Sequence, residues 1–235
     1  MARACIVTGG TRGIGFAIAA ALLRQGGAVA IMGTSQQGVD RAVSRLGQDA
    51  AVERVLPLVC DVRDAAAVER AFGETASRFG SLDVLVNNAG VGVGRPVAEL
   101  SQNEWDRIIG INLTGVFLCS KAALTHMRDK GGWIINISSL ASKNPFAGAA
   151  AYCASKAALN AFSDALMQEV RHHNIRVSCV LPGSVATEFS GRASTSGADW
   201  RLHPDDVAQV IVDLLGQPAR SLPSRVEIRP SRPQK

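Results

Sequence analysis

The chain has 235 residues, of which 47% are hydrophobic and 19% charged, a balance that is typical of globular proteins and excludes an intrinsically disordered chain. Its net charge of +5 is carried mainly by arginine, without a basic stripe of interleaved aromatic residues, so we expect no nucleic-acid partner. No uninterrupted apolar run reaches the roughly 18 residues that span a bilayer, and no signal-peptide pattern precedes the first apolar run, so we expect a cytoplasmic protein with no membrane partner.

Short runs rich in Val and Ile alternate along the chain with longer stretches of helical periodicity. Several of the short runs are apolar at successive positions, which is typical of strands covered on both faces. The alternation predicts an α/β fold, a Rossmann-type doubly wound parallel sheet of about seven strands flanked by helices, in a single domain over residues 1–235. The predicted strands cover residues 4–8, 28–33, 55–60, 84–87, 133–138, 176–181 and 226–228. The predicted helices cover residues 12–24, 36–46, 64–79, 101–129, 151–172 and 204–216.

A glycine-rich turn with the sequence GGTRGIG follows the first predicted strand and leads directly into a helix. Glycines let the backbone turn sharply and approach a diphosphate closely, and the helix N-terminus offers unpaired N–H groups to the anion. The spacing G-x-x-x-G-x-G differs from the G-x-G-x-x-G pattern, but its place between strand and helix predicts a dinucleotide site. The residues expected to contact the cofactor here are Gly9, Thr11, Arg12, Gly13, Ile14 and Gly15.

The end of the second predicted strand indicates which dinucleotide binds. NAD-specific sites place an acidic residue there to hold the ribose 2′-hydroxyl, whereas this chain reads MGTS over residues 32–35 and has no acid until Asp40. We therefore predict NADP(H) in preference to NAD(H), with Arg12 as the counter-charge and Thr34 and Ser35 as hydroxyl donors to the 2′-phosphate. A position of Arg12 on the surface of the turn, with no role in binding, is the alternative.

The only tyrosine, Tyr152, lies four residues before Lys156 in a predicted helix. This spacing places both side chains on one helix face, roughly 6 Å apart along the axis. A phenol has a pKa near 10, and a nearby ammonium group lowers it, so the pair can act as a tuned acid/base. A packed tyrosine beside a surface lysine is the alternative. Ser138 and Ser139 follow the predicted strand of residues 133–137, and the carboxyl ends of such strands face the ligand crevice.

These motifs, taken in order, resemble those of the short-chain dehydrogenase/reductase family. The resemblance covers residues 4 to about 229 and rests on the turn of residues 8–15, the NNAG sequence at residues 87–90, Asn112, Ser139, Tyr152, Lys156 and the Pro-Gly pair at residues 182–183. It implies an NADP-dependent oxidoreductase that acts on CH-OH groups and transfers hydride between nicotinamide and a carbonyl or alcohol substrate. It also implies a homo-oligomer, either a homodimer or a homotetramer.

The same resemblance implies a role for each matching residue. Tyr152 would be the catalytic acid/base, and Ser139 would hydrogen-bond the substrate oxygen. Lys156 would bind the nicotinamide ribose and lower the pKa of Tyr152, while Asn112 would hold a water of a proton relay behind Lys156. The further cofactor contacts implied are Asp61 (beside the adenine), Val62, Asn88, Ala89, Gly90, Tyr152, Lys156, Pro182, Gly183, Val185 and Thr187.

Structural roles are the alternatives for four of these residues. Asn88 can cross-link strands, Asn112 can serve as a hydrogen-bonding residue inside a helix, and Asp61 can cap a helix or close a turn. Thr187 can simply begin a loop. The five cysteines lack zinc-ligand spacing, so we expect no metal, and free buried thiols suit a reducing compartment. The role of Cys153, beside Tyr152, stays open.

Two further questions stay open in the sequence. A non-catalytic NADP(H)-binding sensor or scaffold would need the glycine turn but not Ser139, Tyr152 and Lys156. The substrate is a small molecule, and a 3-oxoacyl thioester is one alternative class. Residues 91–95, 140–151 and 185–201 are expected to set specificity, with Leu140, Phe146 and Phe189 as an apolar lining.

Overall fold

Seven parallel strands form one sheet in the computed structural model, which describes residues 3–47, 52–187 and 200–232. Their spatial order is β3-β2-β1-β4-β5-β6-β7, the arrangement of a Rossmann-type doubly wound fold, so the predicted fold class is confirmed. The strands are β1 (Ala4–Thr8), β2 (Ala28–Gly33), β3 (Val55–Val59), β4 (Val84–Asn87), β5 (Gly132–Ile137), β6 (Ile175–Pro182) and β7 (Arg225–Ile228).

Seven α-helices connect these strands within the described residues and lie within two residues of the predicted bounds, except in the run of residues 101–129. They are α1 (Gly13–Arg24), α2 (Gln36–Leu46), α3 (Ala65–Phe79), α4 (Gln102–Ile109), α5 (Gly115–Met127), α6 (Ala150–Val170) and α7 (Pro204–Leu215). Two predicted features, Phe189 and most of the specificity segment of residues 185–201, lie outside the described residues.

The helices cover both faces of the sheet. Helices α1, α2 and α7 pack on one face, and α3, α5 and α6 pack on the other. Successive residues of a strand point to opposite faces, so Val7 and Ile31 enter the first layer while Ile6 and Met32 enter the second. This double burial is the physical reason why the strands are apolar at successive positions, as the sequence indicated.

The predicted helix of residues 101–129 is interrupted in the structure. A π-helical segment, Gly110–Thr114, joins α4 to α5 and carries the buried Asn112. A π-segment adds one residue per turn and frequently marks a functional site. The single long helix was therefore wrong in its interior, because one inserted residue barely disturbs an amphipathic pattern.

The continuous helical run Gln102–Met127 is, among the described residues, the one run long and apolar enough to cross a membrane by length and composition. The sequence has no uninterrupted apolar run of that length and so predicted no span, whereas this run has a mean hydropathy of 1.5 over an 18-residue window. Its inner face, including Cys119, Ala123 and Met127, packs in the core beneath the sheet. That packing is typical of a core helix in a globular domain.

The amino edge of the sheet gathers basic side chains. The Arg3 guanidinium donates to the carbonyl of Leu215, and that of Arg176 donates to the carbonyl of Gln217. The Leu215 carbonyl ends α7, where the helix dipole is negative and favours cations, and the Gln217 carbonyl lies two residues beyond the helix. This part of the positive charge therefore has a structural partner within the fold.

Two glycines of α3 provide a matched test of backbone conformation, because a Cβ added at either would meet no atom within 4 Å. Gly73 lies inside the helix, whereas Gly80 caps it with a left-handed φ of 78°. We expect Gly73→Ala to raise the free energy of unfolding by about 0.5–1 kcal/mol, because alanine loses less backbone entropy. Gly80→Ala should lower it by about 1–2 kcal/mol, because Cβ disfavours that φ.

Urea denaturation of the two variants beside the parent measures both changes. Equal signs for the two substitutions would contradict the helix end at Gly80.

Candidate active site

The glycine turn after β1 is shaped by contacts that only glycine permits. Gly9 and Gly13 have left-handed φ values of 63° and 55°. A Cβ on Gly15 would collide with the carbonyl oxygen of Gly9 and the Nδ2 atom of Asn88. The turn delivers the chain into α1 at Gly13, so the first N–H groups of α1 lie at the carboxyl edge of the sheet.

The neighbouring ends of β1 and β4 are joined by side-chain hydrogen bonds. The Oγ1 atom of Thr8 accepts from the backbone N–H groups of Asn88 and Ala89, both at 3.0 Å. The Asn88 amide donates to the carbonyls of Thr8 and Gly9 at 2.9 and 3.1 Å. Asn88 is thus a cross-link between strands in this structure. The strand order reverses between β1 and β4, where such sheets open a ligand crevice.

The end of β2 packs directly against the glycine turn. A Cβ on Gly33 would overlap the Cγ2 atom of Thr11, so Thr11 closes over the strand end. Beyond it, Thr34 is exposed, and the exposed Ser35 caps α2 by accepting from the N–H of Gly38 at 3.3 Å. Arg12 is exposed just before α1. The predicted 2′-phosphate contacts therefore belong to two adjoining segments at one edge.

Asp61, predicted beside the adenine, forms an ion pair instead of capping a helix. Its carboxylate accepts from Nε and Nη2 of Arg63, and this hydrogen-bonded cation lowers the pKa of Asp61. Asp64, rather than Asp61, caps α3. Val62 is buried where a Cβ on Gly115 would overlap it, which places residues 61–63 against the start of α5.

Lys156 is buried on the inner face of α6, with 5% of its surface exposed. Its Nζ donates to the carbonyl of Ile137 at 2.8 Å and lies 6.0 Å from the ring centroid of Tyr152. Burial lowers the pKa of Lys156 to about 8, because an ammonium group loses its hydration in the interior. The alternative of a surface lysine is therefore wrong.

Tyr152 is also largely enclosed, and burial raises its pKa, while a hydrogen bond to the Ser139 side chain opposes the rise. The sequence predicted a lowered pKa for Tyr152, whereas the net shift in the structure is upward. Desolvation is the larger effect, and Lys156 directs its Nζ to the carbonyl of Ile137. Both side chains consequently favour their neutral forms more than they would in water.

Ser139 ends the turn that follows β5 and begins the 3₁₀ segment Leu140–Ser142. Its Oγ accepts from the N–H of Ala141 at 3.1 Å, and its side chain is hydrogen-bonded to that of Tyr152. Ser138 differs, because its hydroxyl donates to the Oδ1 atom of Asn160 at 2.7 Å, away from Tyr152. The structure thus brings Ser139, and not Ser138, to the tyrosine.

The Asn112 side chain is hydrogen-bonded at both ends of its amide. Its Oδ1 accepts from the N–H of Val91 at 2.8 Å, and its Nδ2 donates to the carbonyl of Val91 and the Oγ of Ser155. A Cβ on Gly90 would lie 3.4 Å from this Oδ1 and 3.6 Å from Nζ of Lys156. The absence of a side chain at Gly90 therefore leaves open the space between the two groups of the predicted relay.

The segment after β6 returns to the glycine turn. Gly183 donates its N–H to the carbonyl of Ile228 at 2.8 Å, which fixes the Pro182–Gly183 corner against β7. Val185 forms an isolated parallel bridge with Leu202. Thr187 follows, and its Cγ2 lies 3.5 Å from where a Cβ on Gly13 would stand. Thr187 therefore lies beside the glycine turn.

All five cysteines are free and buried. Cys153 packs with Ala141 and Ala149, and Tyr152 lies against this small cluster. Its thiol therefore forms part of the wall behind the tyrosine.

Sequence reasoning missed Asn160, a buried polar residue beneath this site. It lies four residues after Lys156 and eight after Tyr152, so all three occupy one face of α6. An asparagine on that face, where an apolar residue would be expected, was the signal that could have found it.

Known proteins resemble this chain in sequence. The sequence profile of the short chain dehydrogenase family matches residues 3–197. A 3alpha-hydroxysteroid dehydrogenase of Mediterraneibacter gnavus is 37% identical over 191 residues, which are 80% of this chain and 75% of that protein.

Solved structures resemble the whole chain. An alcohol dehydrogenase from the archaeon Thermococcus sibiricus, complexed with 5-hydroxy-NADP, aligns over 100% of both chains with a TM-score of 0.92 and 31% identity. A 3-ketoacyl-(acyl-carrier-protein) reductase from Brucella melitensis, complexed with NADH, aligns over 98% of each chain with a TM-score of 0.88 and 25% identity. Nicotinamide dinucleotides of both kinds are thus bound by proteins of this shape.

The lowered pKa of Lys156 predicts a particular pH dependence of stability. Below pH 8 the lysine is protonated in both the folded and the unfolded chain, and burial of its charge costs stability. Between about 8 and 10.5 the unfolded chain binds more protons, so this contribution to the free energy of unfolding rises with pH. We expect the free energy of the parent minus that of Lys156→Met to increase by about 3 kcal/mol across this window.

Denaturation of both proteins at several pH values measures that difference. The buried Cys5 and Cys60 thiols also have raised pKa values, but they are present in both chains and their contributions cancel. Lys121→Met, at an exposed position of α5, is the control for loss of a lysine. A difference that stays flat or falls with pH would show that Lys156 is not a buried cation.

Proposed function

The chain belongs to the short-chain dehydrogenase family of oxidoreductases, and from this premise we propose that it transfers hydride between NADP(H) and a carbonyl or alcohol substrate. The observation that carries the proposal is the hydrogen bond between Ser139 and Tyr152 with the buried Lys156 one helical turn away. Because the carboxyl ends of β1 and β5 meet one edge of one parallel sheet, residues 1–235 act as a single catalytic unit. Buried free thiols support a cytoplasmic location.

The residues at this edge fit a dinucleotide. The left-handed glycines and the first N–H groups of α1 form an anion cradle, and the side chain missing at Gly90 leaves room beside Lys156. Arg12, Thr34 and Ser35 would hold the 2′-phosphate, and Lys156 the nicotinamide ribose. The remaining contacts would come from Gly9, Thr11, Gly13, Ile14, Gly15, Asp61, Val62, Asn88, Ala89, Gly90, Tyr152, Pro182, Gly183, Val185 and Thr187.

The chemistry divides between the cofactor and the side chains. A bound nicotinamide supplies hydride to the carbonyl carbon. The Tyr152 hydroxyl gives its proton to the carbonyl oxygen, while the Ser139 hydroxyl donates a hydrogen bond to the same atom and stabilises its developing charge. Lys156, whose pKa of about 8 lies near neutral pH, can then return a proton toward Tyr152, with Asn112 positioned behind it.

The substrate class within this proposal is a ketone or aldehyde. A 3-oxoacyl thioester is the second candidate, supported by the likeness to the Brucella melitensis 3-ketoacyl reductase. Residues 91–95 and 140–149 would define the pocket, since the N–H of Arg95 donates to the carbonyl of Gly148 at 2.7 Å and holds the two loops together. Leu140 and Phe146 lie on the second loop, and Phe146 is 61% exposed.

A second copy of the chain is the partner we propose. Exposed alanines recur along one face of α6, at Ala150, Ala154, Ala157, Ala161 and Ala165. Small side chains let the same helix of two copies approach closely around a two-fold axis. Phe117, exposed by 46% on α5, adds apolar surface, which monomers seldom leave open in large patches.

We expect Tyr152→Phe to lower the turnover number for carbonyl reduction by about 10²–10⁴-fold, because the proton donor is lost. The dissociation constant for NADPH should change little. The measurement is NADPH oxidation over a panel of ketones, aldehydes and 3-oxoacyl thioesters, with Cys153→Ala as the adjacent control. Unchanged turnover in Tyr152→Phe would rule out the acid/base role, and a parent that binds NADPH but reduces nothing would favour a sensor.

We expect Arg12→Ala to weaken NADPH binding by about 10–100-fold, the value of one charge-assisted hydrogen bond. NADH binding should stay nearly constant. Fluorescence titration with both cofactors measures the effect, and Arg24→Ala at the far end of α1 is the control. Tighter binding of NADH than of NADPH by the parent would make the proposed preference wrong.

We expect the parent to sediment as a dimer or tetramer and Ala157→Glu to sediment as a smaller species, because charge would be buried against a like charge. Ala66→Glu, on an exposed face of α3, should leave the assembly intact. A parent that sediments as a monomer at micromolar concentration would contradict this interface.

A further inference from the structure

Asn160 lies beneath the candidate active site and makes three directed hydrogen bonds. Its Oδ1 accepts from the Oγ of Ser138 at 2.7 Å and from the Sγ of Cys179 at 3.3 Å. Its Nδ2 donates to the Oγ of Ser142 at 2.8 Å. Two donors meet the oxygen and one acceptor meets the nitrogen, so the orientation of the amide is fixed.

The connection continues from Asn160 to the backbone of Ser139. The Ser142 hydroxyl, which accepts from Asn160, donates to the carbonyl of Ser139 at 2.6 Å. Ser138 is held by the same amide on the other side. Asn160 therefore holds Ser138, directly before Ser139, and Ser142, three residues after it. The Ser139 side chain is left to face Tyr152.

The two partners of this connection belong to different elements. Ser139 stands on the turn after β5, whereas Tyr152 and Lys156 stand on α6. The apolar contacts between the turn and α6 involve small residues such as Ala141 and Ala149. Contacts between such small side chains are not directional, so they define the distance between the turn and the helix only loosely. Hydrogen bonds are directional, so the amide of Asn160 sets the position of the turn relative to the helix.

We propose that Asn160 is a positioning residue for the reaction, which holds the Ser139 hydroxyl at hydrogen-bonding distance from Tyr152 through Ser142 and Ser138. The inference rests on the proposed function, since it assigns Asn160 to the same proton transfer. Asn160 touches neither substrate nor cofactor. Loss of Asn160 reduces stabilisation of the transition state, in which the hydroxyl groups of Ser139 and Tyr152 must both contact the substrate oxygen. Cofactor binding is left unchanged.

A double-mutant cycle between Asn160 and Ser139 tests this. We expect Asn160→Ala to lower the turnover number by about 10-fold or more, since a small misplacement of a reacting group costs up to about 10²-fold. In the Ser139→Ala background the same substitution should cost less than about 2-fold, because the group it positions is gone. The dissociation constant for NADPH should stay within about 2-fold in every variant.

Ser142→Ala is a second and milder variant that interrupts the same connection. It should lower turnover in the parent and not in the Ser139→Ala background, and it keeps the test valid if Asn160→Ala does not fold. We expect Asn160→Ala to fold, because the Ser138 hydroxyl can still donate to the carbonyl of Lys156, at 3.3 Å. Ser163→Ala is the matched control, since this buried serine of α6 bonds Asn136 and Leu159 instead of the turn.

The outcomes separate this inference from the proposed function. If Asn160→Ala and Ser142→Ala lower turnover equally with and without Ser139, the positioning role is overturned while the enzyme remains. Turnover that falls only in step with the folded fraction, or falls as far in Ser163→Ala, also overturns it. If Ser139→Ala itself has full activity, the proposed function fails first.

Discussion

The cross-link between β1 and β4 determines where everything else in the site stands. These strands are neighbours at the point where the strand order reverses, and the helices that follow them pack on opposite faces of the sheet. Because these helices diverge, a crevice opens between the two strand ends. Loops alone would not fix the width of this crevice. Thr8 and Asn88 hold its two rims together through four hydrogen bonds. Because Gly15 packs against the same Asn88 amide, one side chain sets both the strand ends and the start of α1.

Polar contacts extend from this edge into the interior. Asn87 donates to Ser120 and Asn136, and Asn136 donates in turn to Ser163. Buried polar groups cost free energy unless they are paired, so a network of this extent constrains strands and helices to one arrangement. Within the described residues, the Oδ1 atom of Asn87 is the one buried side-chain N or O atom without a hydrogen-bond partner. The site thus rests on directional bonds, and the apolar layers of the sheet supply the stability beneath them.

The sequence predicted the scaffold and the identity of the reacting groups more fully than their electrostatics. Strands β1, β2 and β4 begin and end where predicted, because runs buried on both faces leave a strong apolar signal. The π-segment at Gly110–Thr114 was missed, since one extra residue hardly alters periodicity. The direction of the pKa shift of Tyr152 was also misjudged. Spacing along a helix reveals that a cation is near, but the desolvation of both groups depends on what the fold packs around them.

The direction of the helices relative to the sheet explains where the basic side chains lie. In a doubly wound sheet, each helix that follows a strand begins at the carboxyl edge and ends at the amino edge, so positive helix ends collect at the first and negative ends at the second. Of the cations at the amino edge, Arg3 is bonded to the carbonyl of Leu215 at the end of α7, and Arg176 is bonded to the carbonyl of Gln217 just beyond it. At the carboxyl edge the backbone of α1 supplies the positive potential, and Arg12 adds a full charge beside it. Lys156 stands apart because burial lowers its pKa to about 8, so it gives up its proton more readily than an exposed lysine. Under the proposed function, a positive charge is therefore fixed where the cofactor phosphate would lie, and it is exchangeable where the proton would move.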